Sequence, residues 1–380
     1  MLEGPRPAKP EELIDIADLV NSVFNIKPGS PSILMDLFPQ LFNVDNLENL
    51  RVILYDGKPI SHVGIWEGEL LIYGCCFKVG MIGSVCTHPS YRGRGYASAL
   101  VRDAFSKMRR DDVDLVLVSG FRNLYKMAGC VEAGKVYTYN IQRGKLDLDL
   151  DGINVIHYDE DLLEDLIEIY HREPVRYRRS LEEFKVLLER GLKYGDLKIY
   201  AATDGAGLLA YVAIESFLNK NVPTMIEYAG PRSVVLYMIE EILKILNVNA
   251  IKLIVPHQDL EMLHLLEKRN VEKTSSEAPA SIAIINPKNF LEKIQPYLEE
   301  RMGEKESRRF IHDLVHEKIR LYLNEEETSF QDSRALTLLF FGAPDKLRAP
   351  PQPKVKIKPH PESLSYALPL PTPVYGLNYI

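Results

Sequence analysis

The chain has 380 residues, 46% of them hydrophobic and 26% charged, which is ordinary for a globular protein of about two or three domains. A formal net charge of -7 gives no support to nucleic acid or an anionic membrane surface as a partner. Four cysteines without framework spacing or a CxxC pair favour reduced thiols, a cytoplasmic protein and no metal site. We expect neither a secretory signal nor a membrane span.

The first predicted unit covers roughly residues 1–150. Apolar residues at helical spacing predict a helix over Pro10–Phe24 and a second over Ile33–Phe42. From Leu50, β-rich runs separated by Asp-Gly and Glu-Gly pairs predict an antiparallel meander of three or four strands. A helix over Ser98–Arg110, a buried strand, a short helix and a last strand, "GKVYTYNIQ", complete the unit.

A second unit, residues 151–286, repeats this order of elements. The run "LKIYAATDGAGLLAYVAIE" echoes "LRVILYDGKPISHVGIWE" down to the Asp-Gly turn, and helix, strand, helix and the strand "ASIAIIN" follow. The pattern therefore predicts a duplicated architecture. Residues 287–380 form a third part with helices, a strand and a Pro-rich aromatic tail, which we expect to dock on the rest of the protein.

The stretch "THPSYRGRGYA", residues 87–97, stands between the apolar run "VGMIGSVC" and the helix over Ser98–Arg110. Backbone N–H groups at a helix start attract anions, and glycines let an anion approach the main chain. The stretch matches neither GxxxxGK[ST] nor GxGxxG. On glycine and arginine alone, a plain surface turn with solubilising arginines is an equal alternative.

The wider context resembles a known family. Arg-x-x-Gly-x-Ala after a strand ending "VCTHP" resembles the acetyl-CoA signature of the GNAT N-acetyltransferase superfamily, and "FRNLYKMAGCVEAG", about thirty residues on, resembles its second signature. The whole chain is similar to the Eis (enhanced intracellular survival) family, which implies a mixed α/β fold. Tandem GNAT-like domains and a C-terminal sterol-carrier-like module, here shortened, would correspond to residues 1–150, 151–286 and 287–380.

The resemblance implies a set of residues that hold acetyl-CoA as a cosubstrate. The main chain of Val85 and Thr87, with Cys86 between them, would pair with the pantetheine arm, and a main-chain N–H near Val85 would polarise the thioester carbonyl. The pyrophosphate would lie against the residues of the turn, namely Arg92, Gly93, Arg94, Gly95, Tyr96 and Ala97. Either arginine could equally be a solvated surface residue. The second unit has "YAGPRSVVLY" at the corresponding turn and Pro231 lacks an N–H, so we expect one acetyl-CoA site per chain.

Two residues are candidates for proton transfer. The resemblance makes Tyr125 the general acid, with packing of its helix as the alternative, and a phenol of pKa about 10 can donate a proton to a thiolate. It also makes the C-terminal carboxylate of Ile380 the candidate base, with simple closure of an interface by the aromatic tail as the alternative. Phe24 and the following loop to Ser32 correspond to the acceptor pocket of the family, but for Phe24 packing in the apolar stripe of its helix is the favoured interpretation.

Three other side chains are weaker candidates. His88 precedes Pro89, so shaping the turn is favoured over proton transfer. His62 has no ligand-type neighbours at metal spacing, and Cys86 has no nucleophile partners, so burial in the sheet is favoured for the thiol.

The leading hypothesis is an N-acetyltransferase that moves acetyl directly from acetyl-CoA to a primary amine. Aminoglycoside-like compounds, polyamines or protein lysines are the acceptors that the resemblance implies, and a homo-oligomer, trimer or hexamer, is expected. The competing hypothesis is a non-catalytic acyl-CoA-binding, lipid-binding or partner-binding protein.

Overall fold

The structure of the protein is a computed structural model that describes residues 1–24, 32–192, 197–215, 222–345 and 353–380. Within these ranges the chain forms two large β-sheets, one small sheet and helices on their faces. The expected mixed α/β fold class is therefore confirmed.

The first part of the chain begins with a strand that the sequence pattern did not predict. Its elements are β1 (Leu2–Pro7), α1 (Leu13–Phe24), α2 (Ser32–Leu37), β2 (Leu50–Tyr55), β3 (Lys58–Ile72), β4 (Cys75–Thr87), α3 (Tyr96–Arg110), β5 (Leu115–Val118), α4 (Asn123–Met127), β6 (Val131–Ala133) and β7 (Val136–Gln142). The predicted meander is confirmed as β2, β3 and β4. The Glu-Gly pair was wrongly taken as a turn: β3 runs through it, and the chain turns at Tyr73 and Gly74, with φ of 47° and 84°.

The second part follows the predicted order of elements and adds three short strands that were not predicted, at Asn154–His157, Val175–Arg178 and Lys273–Glu277. Its elements are β8 (Asn154–His157), α5 (Leu163–His171), β9 (Val175–Arg178), α6 (Leu181–Leu192), β10 (Leu197–Thr203), β11 (Leu208–Glu215), β12 (Thr224–Ala229), α7 (Arg232–Ile245), β13 (Ala250–Pro256), α8 (Leu260–Lys268), β14 (Lys273–Glu277) and β15 (Ala280–Ile284). The remaining elements are α9 (Pro287–Met302), α10 (Glu304–Val315), β16 (Arg320–Leu323), β17 (Glu326–Thr328), α11 (Ser333–Phe341), β18 (Val355–Lys358) and α12 (Leu364–Ala367).

The two large sheets exchange strands. The first has the order β1-β2-β3-β4-β5-β15-β6, with β9 paired to β3, and the second has the order β14-β7-β13-β12-β11-β10-β8. Thus β15, from the second part of the chain, lies between β5 and β6, and β7, from the first part, lies between β13 and β14. A division of the chain at residue 150 does not separate the two sheets.

The last part of the chain packs on the first sheet. Phe290 of α9 lies 5.1 Å from Phe77 of β4 and 5.0 Å from Phe340 of α11, centroid to centroid. The small sheet, β17-β16-β18, packs on α11 and contributes Leu321 and Leu323 to the same core. One hydrophobic core therefore joins α1 and the first sheet to α9, α10 and α11.

Candidate active site

Strands β4 and β5 run parallel and separate before β4 ends. Their pairing stops at Ile82 and Val118, whereas β4 continues to Thr87 against β3. A bulge in this extension gives Ser84 a φ of 54°. Within the described residues, the edge of β4 beyond Ile82 that faces away from β3 pairs with no strand. Its main-chain groups can therefore pair with an extended ligand.

The Gly-rich turn follows this extension directly. A 3₁₀ turn over Pro89–Tyr91 leads to the 15-residue helix α3, whose N-cap is Gly95 with a φ of 79°. Gly93 also has a positive φ, 77°, a conformation in which a Cβ would be strained. The two glycines thus let the backbone bend tightly at a helix start, where N–H groups favour an anion.

A cavity of about 590 Å³ lies between the end of β4 and the start of α3. All nine residues that the sequence predicts for cosubstrate binding line it: Val85, Cys86, Thr87, Arg92, Gly93, Arg94, Gly95, Tyr96 and Ala97. Two of them hold each other in place, because Arg92 Nε donates a hydrogen bond of 3.2 Å to the Thr87 carbonyl. Arg94 stacks over the ring of Tyr91 at 5.3 Å. The cavity therefore combines the unpaired edge of a strand, the N-terminus of a helix and two guanidinium groups. The strand edge suits an extended thioester arm, and the helix N-terminus and the guanidinium groups suit a diphosphate.

The side chains of Val85 and Cys86 are buried, so these two residues can contact a ligand in the cosubstrate cavity mainly through their main chain. Val85 is buried in the core beneath α3, and Cys86 packs on the opposite face of the sheet. Burial raises the pKa of the Cys86 thiol to about 12, so the thiol stays protonated and is a poor nucleophile near neutral pH.

Tyr125 of α4 is buried just beyond the end of β5. Its Cε2 lies 2.8 Å from where a Cβ on Gly120 would stand, so a side chain at that position would displace the Tyr125 ring. Burial raises the pKa of the phenol above its usual value near 10, and nearby Arg122 opposes the shift in part. Tyr125 also belongs to the core cluster that contains Val85, on the α3 side of the sheet.

The C-terminal residue lies at the point where β4 and β5 separate. The carboxyl carbon of Ile380 is 3.0 Å from where a Cβ on Gly83 would stand, and its oxygen is 3.1 Å from the same point. Tyr379, the residue before it, accepts a 3.2 Å hydrogen bond from Gln40 through its carbonyl. The chain terminus therefore stands beside the bulge at Ser84.

A buried ion pair holds the tail in this position. Arg179 donates to both carboxylate oxygens of Glu227, at 2.9 and 2.7 Å, and through Nε to the side-chain oxygen of Asn378 at 2.8 Å. Glu227 also accepts hydrogen bonds from the Tyr211 hydroxyl, at 2.7 Å, and the Leu377 amide, at 3.0 Å. These contacts lower the pKa of Glu227 against the opposing effect of burial. We call this group the tail clamp, and it fixes the tail two residues before its end.

A second cavity, of about 690 Å³, begins at Ser84 and Ile380 and extends between the two large sheets. Its apolar wall includes Val20, Leu34, Phe38 and Leu70 from the first part of the chain. Strands β12 and β13 and the tail form its other walls. It is large enough for a small-molecule ligand, and Ile380 lies at one end of it. Tyr125, the other candidate for proton transfer, is not among the residues that line either cavity.

Phe24 lines both cavities and is 44% exposed, so the favoured prediction that it packs in the core stripe of its helix is wrong. The loop that follows it, residues 25–31, lies outside the described residues.

The two histidines near the site, His88 and His62, have structural roles. His88 accepts a hydrogen bond from the Ser90 amide at 3.3 Å and so shapes the turn, and His62 is fully buried in the sheet.

The turn of the second unit is filled by the protein's own carboxylate. Glu173 accepts a hydrogen bond of 3.0 Å from the Gly230 amide and two from Arg232, at 2.8 and 2.7 Å. These are the donors, a glycine amide at a helix start and an arginine, that a phosphate would need. This occupancy supports the prediction of one acyl-CoA site per chain by a contact that the sequence did not reveal.

Sequence reasoning missed the tail clamp and Glu173. A charged residue within an apolar strand, as Glu227 is in "TMIEYAG", is the one local signal that could have indicated a buried pair. The sequence does not reveal that Glu227 pairs with Arg179 or that Glu173 accepts a hydrogen bond from the Gly230 amide. Each contact joins residues more than forty positions apart, and spacing along the chain carries no information on such pairs.

In the part of the chain that the structure describes, no group of three or more His, Cys, Asp or Glu side chains could hold a metal ion. No helix there is both long and apolar enough to cross a membrane.

Residues 5–132 match the family model described as an acetyltransferase (GNAT) domain. Among curated proteins, none matches the chain. The chain therefore carries a GNAT acetyltransferase domain and is an acyltransferase, and the matched residues include the whole first predicted signature and Tyr125 of the second.

Solved structures with the same fold include other acyltransferases. A probable N-acyltransferase from Enterococcus faecalis has a TM-score of 0.62 at 17% identity, covering 77% of this chain and 74% of its own. A GCN5-related N-acetyltransferase from Anabaena variabilis has a TM-score of 0.61 at 17% identity, covering 75% and 73%. Eis1 from Mycobacterium abscessus has a TM-score of 0.56 at 15% identity, covering 77% and 75%. At these identities the likeness concerns the fold.

Proposed function

We propose that this acyltransferase moves an acetyl group from acetyl-CoA to a primary amine by direct attack within a ternary complex. One observation carries the proposal: the larger cavity reaches Ser84 of β4, the cosubstrate cavity is lined by the next residue, Val85, and Phe24 lines both cavities. The terminal carboxyl of Ile380 stands at that junction. An acyl donor and an acceptor can therefore meet there without passing through bulk solvent.

The proposed chemistry uses three proton transfers. The ammonium group first loses a proton to the Ile380 carboxylate directly or through water, and the neutral amine nitrogen attacks the thioester carbon. The C–N bond forms, the C–S bond breaks, and the departing thiolate takes the proton of the Tyr125 hydroxyl. The nitrogen of the new amide then gives up its second proton, through water, to the Tyr125 phenolate, which restores the phenol. A main-chain N–H near Val85 stabilises the negative charge that develops on the carbonyl oxygen.

The acceptors proposed from the family resemblance are aminoglycoside-like amines, polyamines and protein lysines. Release of CoA thiol should be measured with acetyl-CoA, propionyl-CoA and a panel of such amines. We expect amine-dependent release that is fastest with acetyl-CoA. Binding of acetyl-CoA without turnover on any amine would overturn the proposal and favour a non-catalytic acyl-CoA-binding protein.

Two further proposals concern the units of the fold and the oligomeric state. We propose that residues 1–150, 151–286 and 287–380 are the units of the fold, joined by the exchanged strands. We also propose that the chain forms a homo-oligomer, which sedimentation velocity on the purified protein would test.

A further inference from the structure

The larger cavity is lined by charged side chains whose pairing is uneven. They are Glu173, Arg176, Glu215, Glu227, Arg232, Lys252 and Asp259, to which the terminal carboxyl of Ile380 adds an eighth charge. Most of these groups are acidic, which suggests a cavity that attracts cations. Within the described ranges, however, the charged side chains of the cavity that lack a partner are both basic, and they favour an anion.

Each acidic side chain of the cavity has a partner. Arg232 pairs with Glu173 at 2.7 Å and with Asp259 at 2.8 Å, and the Tyr228 hydroxyl donates to Asp259 at 2.7 Å. Glu227 belongs to the tail clamp, and Glu215 also has an interaction partner. Glu173, Asp259 and Glu227 are therefore already hydrogen-bonded by the protein's own arginine and tyrosine side chains.

Two cations of the cavity have no such partner. Among the described residues, neither Arg176 of β9 nor Lys252 of β13 has a side-chain hydrogen bond or ion pair, and the Nε atom of Arg176 is buried without an acceptor. Lys252, Ile254 and Pro256 alternate along β13 and all line the cavity. A partly buried cation without a counter-ion costs stability, so an anion supplied by a ligand would be bound strongly.

We infer that Arg176 and Lys252 form an anion subsite and that the acceptor is an amine which also carries a carboxylate or a phosphate. This inference rests on the proposed amine acetylation. The ammonium end of such a molecule would lie toward the Ile380 carboxylate, and its acidic group would lie toward the two cations. Acetylation removes the positive charge of the ammonium and leaves the acidic group intact, so the product is one charge more negative than the acceptor.

This subsite distinguishes between classes of acceptor. A polyamine or aminoglycoside brings additional cations toward Arg176 and Lys252 and gains no counter-charge from them. An amino acid or an amino-sugar phosphate satisfies both ends of the cavity. The acceptor class inferred here therefore differs from the polycations that the family resemblance implies.

The test compares acceptors that differ only in the anion. Unbranched ω-amino acids from glycine to 8-aminooctanoate are assayed against their amides, and glucosamine 6-phosphate against glucosamine, to separate carboxylate from phosphate. We expect kcat/KM to favour the acid over its amide by about 30-fold or more at the best chain length. Arg176→Met should abolish this ratio, and Lys252→Met should reduce it. Arg178→Met, at an exposed arginine on the same strand, should leave it unchanged.

A binding measurement separates this inference from the proposed function. Inorganic phosphate is titrated calorimetrically into the CoA-loaded protein, so that the cosubstrate cavity is already occupied. Phosphate binding that is lost in Arg176→Met supports the subsite even if no amine is acetylated. Equal rates for acids and amides, with phosphate binding unchanged in Arg176→Met, would overturn the subsite while leaving the acetyltransferase intact.

Discussion

Tyr125 is the residue whose loss should affect the chemical step most. Burial raises the pKa of its phenol above 10, so the hydroxyl is protonated throughout the neutral range and loses its proton only at higher pH. We expect Tyr125→Phe to lower kcat about 10²- to 10⁴-fold and to remove an alkaline fall in rate above pH ~10. Thiol release between pH 7 and 11 measures both effects.

An exposed tyrosine provides the control for this substitution. Tyr366 is 77% exposed on the tail, and Tyr366→Phe should retain the rate and pH profile of the parent protein. If Tyr125→Phe also retained both, the phenol would serve only to pack α4, which is the alternative that the sequence leaves open.

His62 should make the protein sensitive to acid. It is fully buried, neither ring nitrogen has a hydrogen-bond partner among the described residues, and burial lowers its pKa to about 3, with the Arg51 backbone opposing the shift in part. The unfolded chain binds this proton near pH 6.5. The stabilisation from a neutral His62 is therefore complete above that pH and is lost as pH falls toward 3.

The expected loss is roughly 2 kcal/mol of unfolding free energy between pH 6.5 and 5, since each pH unit in this window contributes about 1.4 kcal/mol. Urea unfolding at several pH values measures it. The slope should be shallower in His62→Leu and unchanged in His360→Gln, which alters an exposed histidine. An equal slope in parent and His62→Leu would show that other groups dominate the acid response.

At the residue scale, the sequence indicates the cosubstrate side of the site better than the acceptor side. Arg92 to Ala97 are contiguous, so one turn determines their position, and the structure gathers all of them at one cavity. The proposed acceptor side is the larger cavity, whose lining includes Ser84, Arg176, Lys252 and Ile380, residues that are distant in sequence. Such a set depends on how the sheets face each other, and local periodicity does not encode that arrangement.

The tail is the element whose docking should control catalysis. The tail clamp holds Asn378 through the buried guanidinium of Arg179, which also stacks on the Tyr170 ring at 4.1 Å. Removing Arg179 would leave Glu227 buried and unpaired, at a cost of about 3–5 kcal/mol, and could unfold the protein. Asn378→Ala is milder, since it removes hydrogen bonds to a charged group worth about 1.5–3 kcal/mol.

We expect Asn378→Ala to lower kcat at least about tenfold, with little change in KM for acetyl-CoA, because the cosubstrate cavity does not include the tail. Steady-state kinetics with varied acetyl-CoA measure this separation of kcat from KM. Ser365→Ala, at an exposed tail position outside the clamp, is the matched control. A less stable variant with full kcat would mean that the tail only closes an interface.

The exchange of β7 and β15 shows that the sequence predicts the strands themselves but not the sheet to which each one belongs. Both strands were predicted at the correct place in the chain, because their β-rich runs are bounded by turn signals. Their sheet was not specified, because a buried strand presents similar apolar residues to whichever neighbours accept it. The duplicated order of elements therefore follows from the sequence, whereas the crossing of the two units does not.

At the scale of the whole molecule, the exchange should make folding of the two large sheets interdependent. A fragment of residues 1–150 lacks β15 and leaves β5 and β6 without their common neighbour, and a fragment of residues 151–380 lacks β7 between β13 and β14. Each fragment exposes unpaired strand edges, which favour aggregation. We expect each to be insoluble alone and a soluble complex to form when both are co-expressed.

The same coupling should appear in the intact chain as one unfolding transition. Trp66 is the sole tryptophan and lies on β3, so its fluorescence reports on the first sheet, while hydrogen exchange of β11 amides reports on the second. Because neither sheet is complete without a strand from the other unit, both probes should give the same denaturant midpoint within error. Midpoints that differ clearly, or a fragment of residues 1–150 that folds alone with parent-like fluorescence, would mean that the exchanged strands are peripheral to stability.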